Sequence, residues 1–167
     1  SGVLNFSSNI GASKIIEKIS NNKYYSFLKN LGFGSKTNIQ LPGEAKGILI
    51  NPEKWSQIQA ANISFGQGMS VTSLQLAKAL SIIANGGVNV EPYLIKSITN
   101  SKGEVIFKKE LNPGRRVISY TTSKKMRKLL KSVVEDGGGF KAQIEGVSVS
   151  GKTGTGHVSY THLRAHD

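Results

Sequence analysis

The chain has 167 residues, 38% of them hydrophobic and 19% charged, with a formal net charge of +12 and no cysteine. That length and balance suit one globular domain with a real core and exclude a disordered segment, a disulfide scaffold and a thiolate metal site. No run of about 18 apolar residues is present, so no membrane span is expected, and Ser1-Gly2-Val3-Leu4 reads as the interior of a longer protein, not as a signal peptide.

Residues 7–19 read as a helix opened by a Ser/Asn cap, with Ile10, Ile15, Ile16 and Ile19 near helical spacing. Residues 22–31 repeat the pattern with Tyr24, Phe27, Leu28 and Leu31 and stop at Gly32. A polar loop over 34–53 contains Leu41-Pro42-Gly43-Glu44, residues 55–63 form a short helix, and Ser64-Phe65-Gly66-Gln67-Gly68 is a glycine-rich turn. The clearest helix spans 73–85, where Thr72 with Gln75 makes a capping box. Its apolar residues run around most of its circumference, so it is expected to be buried on most sides. Two strands over 93–98 and 105–108 flank Asn100-Ser101-Lys102-Gly103 as a hairpin. Residues 123–134 form an amphipathic helix with Met126, Leu129, Leu130, Val133 and Val134 on one side and five basic residues on the other. Glycines 137–139 break the chain, and residues 147–155 are expected to form a strand ending in Lys152-Thr153-Gly154-Thr155. Helices, a hairpin, a helix and a strand imply an α/β (α+β) fold, an antiparallel sheet flanked by helices.

Residues 101–131 carry ten Lys/Arg against two Glu, which places eight of the twelve net charges there. A basic stretch of this kind reads first as a solvated face. A nucleic-acid binder is the rival, but Phe107 and Tyr120 are the only aromatics in the stretch and provide no stacking platform. All three histidines, His157, His162 and His166, lie at the C-terminus. His162 and His166 have helix-face spacing but no glutamate follows His162, so no metal is expected. Residues 157–167 read as a non-native tail, similar to an adapter sequence translated in frame.

The chemistry lies in two motifs at opposite ends of the chain. Ser7-Ser8-Asn9 is an S-x-N at a helix start, and Lys152-Thr153-Gly154 is a KTG. Together they are two of the three elements of a serine acyl-transfer site. The lysine offers positive charge to a carboxylate, Gly154 leaves room for a peptide backbone, the Thr155 amide can face an oxyanion, and Ser7 and Asn9 can relay protons or hold an amide. The third element, S-x-x-K, carries the nucleophile and has no acceptable match. Ser20-Asn21-Asn22-Lys23 and Ser26-Phe27-Leu28-Lys29 both follow the S-x-N, in the wrong order. Gly146 to Thr153 also fits a phosphate-binding G-x-x-x-x-G-K-[ST], but no apolar strand precedes it and Gly154-Thr155-Gly156 is poor helix material.

Ser7-Ser8-Asn9-Ile10-Gly11-Ala12-Ser13-Lys14, Gly32-Phe33-Gly34, Leu41-Pro42-Gly43-Glu44, the run from Ser64 to Thr72, and Gly151-Lys152-Thr153-Gly154-Thr155 strongly resemble the transpeptidase domain of class B penicillin-binding proteins. The Ser-Ser-Asn form resembles the division-specific, septal branch. The resemblance covers about residues 3–156 and implies a partial transpeptidase domain over 1–156. It implies cross-linking of peptidoglycan stem peptides by serine acyl transfer, acylation of the same serine by β-lactams, and septal cell-wall synthesis proteins as partners. It also implies that Ser7 relays protons, Asn9 holds the substrate amide, Lys152 and Thr153 bind its carboxylate, and Thr155 lends its amide to the oxyanion hole. No cofactor is implied, and the nucleophile is expected outside this chain. The membrane is reached through an anchor also outside it, in the bacterial inner membrane with the domain on the periplasmic side. A β-lactamase or carboxypeptidase remains a variant of this reading, and a non-catalytic remnant is the account if the native gene has no more than these residues. Unpaired sheet edges would make the isolated chain prone to aggregate.

Overall fold

A computed structural model describes residues 2–111 and 113–154. Six helices alternate with loops: α1 (Gly2–Asn5), α2 (Asn9–Ile16), α3 (Asn21–Asn30), α4 (Gln57–Ser64), α5 (Ser73–Ala84) and α6 (Tyr120–Glu135). Short 3-10 turns at Pro52–Lys54 and Phe140–Ala142 precede α4 and follow α6. The sheet is one antiparallel hairpin of β1 (Ser97–Thr99) and β2 (Val105–Lys108).

Local signals explain most boundaries. Ser8 caps α2 by accepting from Gly11 N at 3.1 Å, Ser56 caps α4, and Ser119 caps α6. The capping box of α5 is complete: Gln75 N donates to Thr72 Oγ1 at 3.1 Å, and Thr72 N donates to Gln75 Oε1 at 3.0 Å. Gln75 is fully buried, and its Nε2 also donates to Ser35 O at 2.7 Å and Lys46 O at 2.8 Å. One amide thus starts a helix and ties two loops to it. At Gly47, where φ is +67°, a Cβ would sit 2.3 Å from Ser70 O, so only glycine lets these loops close.

Leu28, Phe33, Trp55, Ala60, Ile63 and Ala79 form the core beneath α3, α4 and α5. Tyr24 and Tyr25 meet Trp55 edge to face with centroids 5.9 and 6.1 Å apart, and the indole N–H donates to Ile50 O at 3.0 Å. Burial pushes the Tyr24 hydroxyl up to about 12. Behind α5, buried Ser123 on α6 donates to Ile83 O at 2.6 Å, and Ile82 and Val133 are fully buried.

Two expectations are corrected. α5 is not buried on most sides: Gln75, Ala79 and Ile82 face inward, whereas Leu76 and Leu80 are each 48% exposed. The core and α6 take one side, and no element covers the other among the described residues. Residues 147–154 are not in a strand. Ile144 and Val147 form a single bridge across a turn at Gly146, where φ is +73°, and Gly151 N donates to Leu130 O of α6 at 3.1 Å. A strand exists only through a partner, and the one sheet among the described residues is the distant hairpin. The fold is therefore a partial α+β domain. The first strand is shorter than expected and shifted, covering Ser97–Thr99, and Asn100 sets the turn that follows by accepting from Lys102 N and Glu104 N at 2.9 and 3.0 Å.

The basic stretch divides into structural and solvated parts. Arg115 donates to Asn30 Oδ1 and Arg116 to Gly86 O, which pins the approach to α6 against α3 and the end of α5. Lys124, Lys125 and Lys128 lie on the exposed face of α6, where they are solvated.

The loop at 37–44 is organised by a carboxylate. Glu44 accepts from Thr37 Oγ1 and Thr37 N, both at 2.6 Å, and from Asn38 N at 3.0 Å. The Thr37 hydroxyl bond, with help from the two amides and Lys36, holds the Glu44 carboxyl below its usual value. A lowered folded value favours the ionised form, so its stabilisation is full above the unfolded carboxyl value of about 4.3. It is lost as pH falls through the lower folded value. Glu44→Gln should therefore flatten the acid side of a stability-versus-pH curve measured by urea unfolding. An unchanged acid limb would contradict the assignment.

Candidate active site

The first arm of the site is the corner between α1 and α2. Ser7 N donates to Leu4 O at 3.2 Å and Ser8 N to Val3 O at 2.9 Å, so the chain doubles back at once. Ser7 takes φ 50°, the left-handed region that an L side chain enters only at a cost. A Cβ on Gly11 would meet Val3 Cγ2 at 2.7 Å, so α2 packs directly on α1. The helix cap is Ser8, which leaves the Ser7 hydroxyl free for other partners.

The second arm is the segment after Gly151. Lys152 Nζ donates to Ser7 Oγ, and it reaches Thr153 Oγ1 and Thr153 O, both at 3.0 Å. Ser7 Oγ and Thr153 Oγ1 lie 3.2 Å apart. An ammonium has three hydrogens, and these three oxygens take them all. Both hydroxyls accept from the lysine, and one of them also donates to the other, so one hydroxyl hydrogen is left to donate outward. The result is a cation with one outward hydroxyl donor, suited to a carboxylate or a developing oxyanion. Among the described residues Ser7 Oγ is bonded to Lys152 Nζ and Thr153 Oγ1 and to no carboxylate or histidine, so it is not read as the nucleophile here.

These groups line a cavity of about 620 Å³ whose walls include Ser7, Asn9, Phe65, Lys152, Thr153 and Gly154, with Ser64. The structure thus brings together Ser7, Asn9, Lys152, Thr153 and Gly154. Asn9 is the first residue of α2 and faces the same space. A Cβ on Gly154 would meet nothing within 4 Å, so the space beside it is open. Thr155 lies outside the described residues, as do the three histidines and the tail. Ser20 is the cap of α3, and Lys29 is tied to Gly34 O and Ser35 Oγ. Neither formal S-x-x-K lines the cavity. The phosphate-loop reading also lacks its geometry, because the chain enters Gly146 from a 3-10 turn and not from a strand. Sequence reasoning gave no role to Ser64 and Phe65, although both open the glycine-rich turn that carried part of the resemblance.

A family model described as penicillin binding protein transpeptidase domain matches residues 1–165. Stage V sporulation protein D of Bacillus subtilis is 40% identical over 154 residues, covering 92% of this chain and 24% of that protein. A probable peptidoglycan D,D-transpeptidase FtsI of Caulobacter vibrioides is 35% identical over 158 residues, covering 92% of this chain and 25% of that protein. The crystal structure of penicillin binding protein 3 of Mycobacterium tuberculosis complexed with aztreonam superposes with a TM-score of 0.75 at 34% identity, covering 80% of this chain and 30% of that one. The chain spans about a quarter of the length of these two curated relatives.

The left-handed Ser7 generates a stability test. Ser7→Gly should keep the corner, whereas Ser7→Val should lose a further ~1–2 kcal/mol to backbone strain. Thermal unfolding of both variants in the full-length protein checks this, and equal melting temperatures would contradict it.

Proposed function

The chain belongs to the penicillin-binding protein transpeptidase domain family, and from that premise we propose that the full-length protein is a peptidoglycan D,D-transpeptidase. It cross-links stem peptides by serine acyl transfer during septal wall synthesis and is acylated by β-lactams. The single observation that carries this reading is the Lys152 ammonium shared between Ser7 Oγ and the Thr153 hydroxyl at the mouth of the cavity.

The hydrogen bonds around Lys152 support the following division of labour. A serine on a segment outside this chain attacks the carbonyl of the penultimate D-alanine, forms an ester and releases the terminal D-alanine. An amine of a neighbouring stem then takes the acyl group. Lys152 and the Thr153 hydroxyl hold the substrate's terminal carboxylate, and Asn9 holds an amide of the stem. Ser7, polarised by Lys152, relays the proton that the attacking serine gives up to the departing amine, and later relays the incoming amine's proton back to that serine. The Thr155 amide completes the oxyanion hole. The division-specific branch and septal partners rest on the Ser-Ser-Asn form. We propose that the domain lies on the outer side of the inner membrane, held by an anchor beyond these residues. No helix among the described residues is long and apolar enough to cross a membrane. The partial domain is proposed to end at 156, with the KTGTG sequence, and 157–167 to be a non-native tail.

Time-resolved labelling of the full-length protein with a fluorescent penicillin tests the reading. The wild type should label, Lys152→Ala should label about 100-fold more slowly, and residues 1–167 alone should not label. Labelling of the isolated chain, or an unchanged rate in Lys152→Ala, would overturn it.

A further inference from the structure

Both arms of the site are fastened to one helix. On the lysine side, Gly151 N donates to Leu130 O of α6 at 3.1 Å, one residue before Lys152. On the serine side, Asn5 ends α1 two residues before Ser7, and Ser132 Oγ of α6 lies 3.0 Å from Asn5 Oδ1. The same hydroxyl lies 2.9 Å from Leu129 O, so its hydrogen is shared. Asn5 O accepts from Gly138 N at 3.2 Å, just past the end of α6. A Cβ on Gly137 would sit 2.9 Å from Asn5 O and 3.1 Å from Asn5 Cα, so α1 rests on bare backbone there. Leu130 and Ser132 are two residues apart on a rigid helix, and each anchors one arm.

We infer that Asn5 and Ser132 are positioning residues: their contact, seated against Gly137, sets Ser7 against Lys152 and thereby controls the rate of the acylation step. The inference rests on the transpeptidase reading above. Neither residue lines the cavity, so neither touches the substrate. Their effect passes through the α1–α2 corner to the Ser7 hydroxyl. A shift of that hydroxyl breaks its bond to the lysine while leaving Lys152 and Thr153 to bind a carboxylate. Loss of the contact should therefore slow chemistry more than it weakens binding.

The test uses the full-length protein and a fluorescent penicillin over a range of concentrations. Limiting acylation rate and half-saturating concentration are measured separately, alongside the melting temperature. Asn5→Ala and Ser132→Ala should each lower the limiting rate about tenfold and change half-saturation by less than about twofold. The double variant should be no slower than either single one, because the two residues act through one contact. Ser132→Thr keeps the hydroxyl and should restore the rate. Gly137→Ala, whose Cβ would meet Asn5 O and Val133 O both at 2.9 Å, should reproduce the loss by shifting Asn5 against α6 without removing any polar group. Wild-type rates in these variants would overturn the inference and leave the transpeptidase reading standing. So would a loss that follows the melting temperature and is not restored by Ser132→Thr. A wild-type protein that does not label would overturn both.

Discussion

The helix α6 is the constraint on which the site depends. Its inward residues Leu130, Val133 and Val134 are buried, and its buried Ser123 bonds to α5. The carbonyl of Leu130 takes the segment before Lys152, and the hydroxyl of Ser132 takes the end of α1. Two motifs that lie at opposite ends of the sequence are thus referenced to one rigid element. A site mounted in this way holds its geometry more closely than one whose arms are set by loops. The cation at Lys152 then needs only its own side chain to reach Ser7 and Thr153.

A second polar centre holds the rest of the chain in register. Gln75 is buried without a charge, and its amide is fully used by Thr72, Ser35 and Lys46. Burying an amide is costly unless it is bonded, so only one arrangement of these loops is acceptable. The Ile48–Ser70 bridge, with bonds of 2.8 and 2.9 Å, closes beside it at Gly47. Further along the same turn, Gln59 Nε2 donates to Gly68 O at 3.2 Å, which folds the glycine-rich turn back onto α4. Ser64 and Phe65, at the end of α4, form part of the cavity wall.

The helices were legible in the sequence where caps and periodicity agreed, as at Thr72 with Gln75 and along 123–134. The two motifs were legible as motifs, and their meeting followed from the resemblance. Other features had no local signature. α1 has four residues, too few to show a period. The KTG segment alternates like a strand, but pairing is a tertiary property that alternation cannot supply. The exposure of Leu76 and Leu80 depends on which elements lie over α5, and composition is blind to that. The contact between Asn5 and Ser132 joins residues 127 positions apart through one hydroxyl, and nothing in either neighbourhood announces it.

The central claim is that this chain supplies the polarising half of an acyl-transfer site, with Ser7 as a proton relay and not as the nucleophile. Reacting the full-length protein with a β-lactam, digesting it and locating the adduct by mass spectrometry tests this directly. The account predicts one adduct, on a serine outside the residues of this chain. An adduct on Ser7, Ser20 or Ser26 would contradict it.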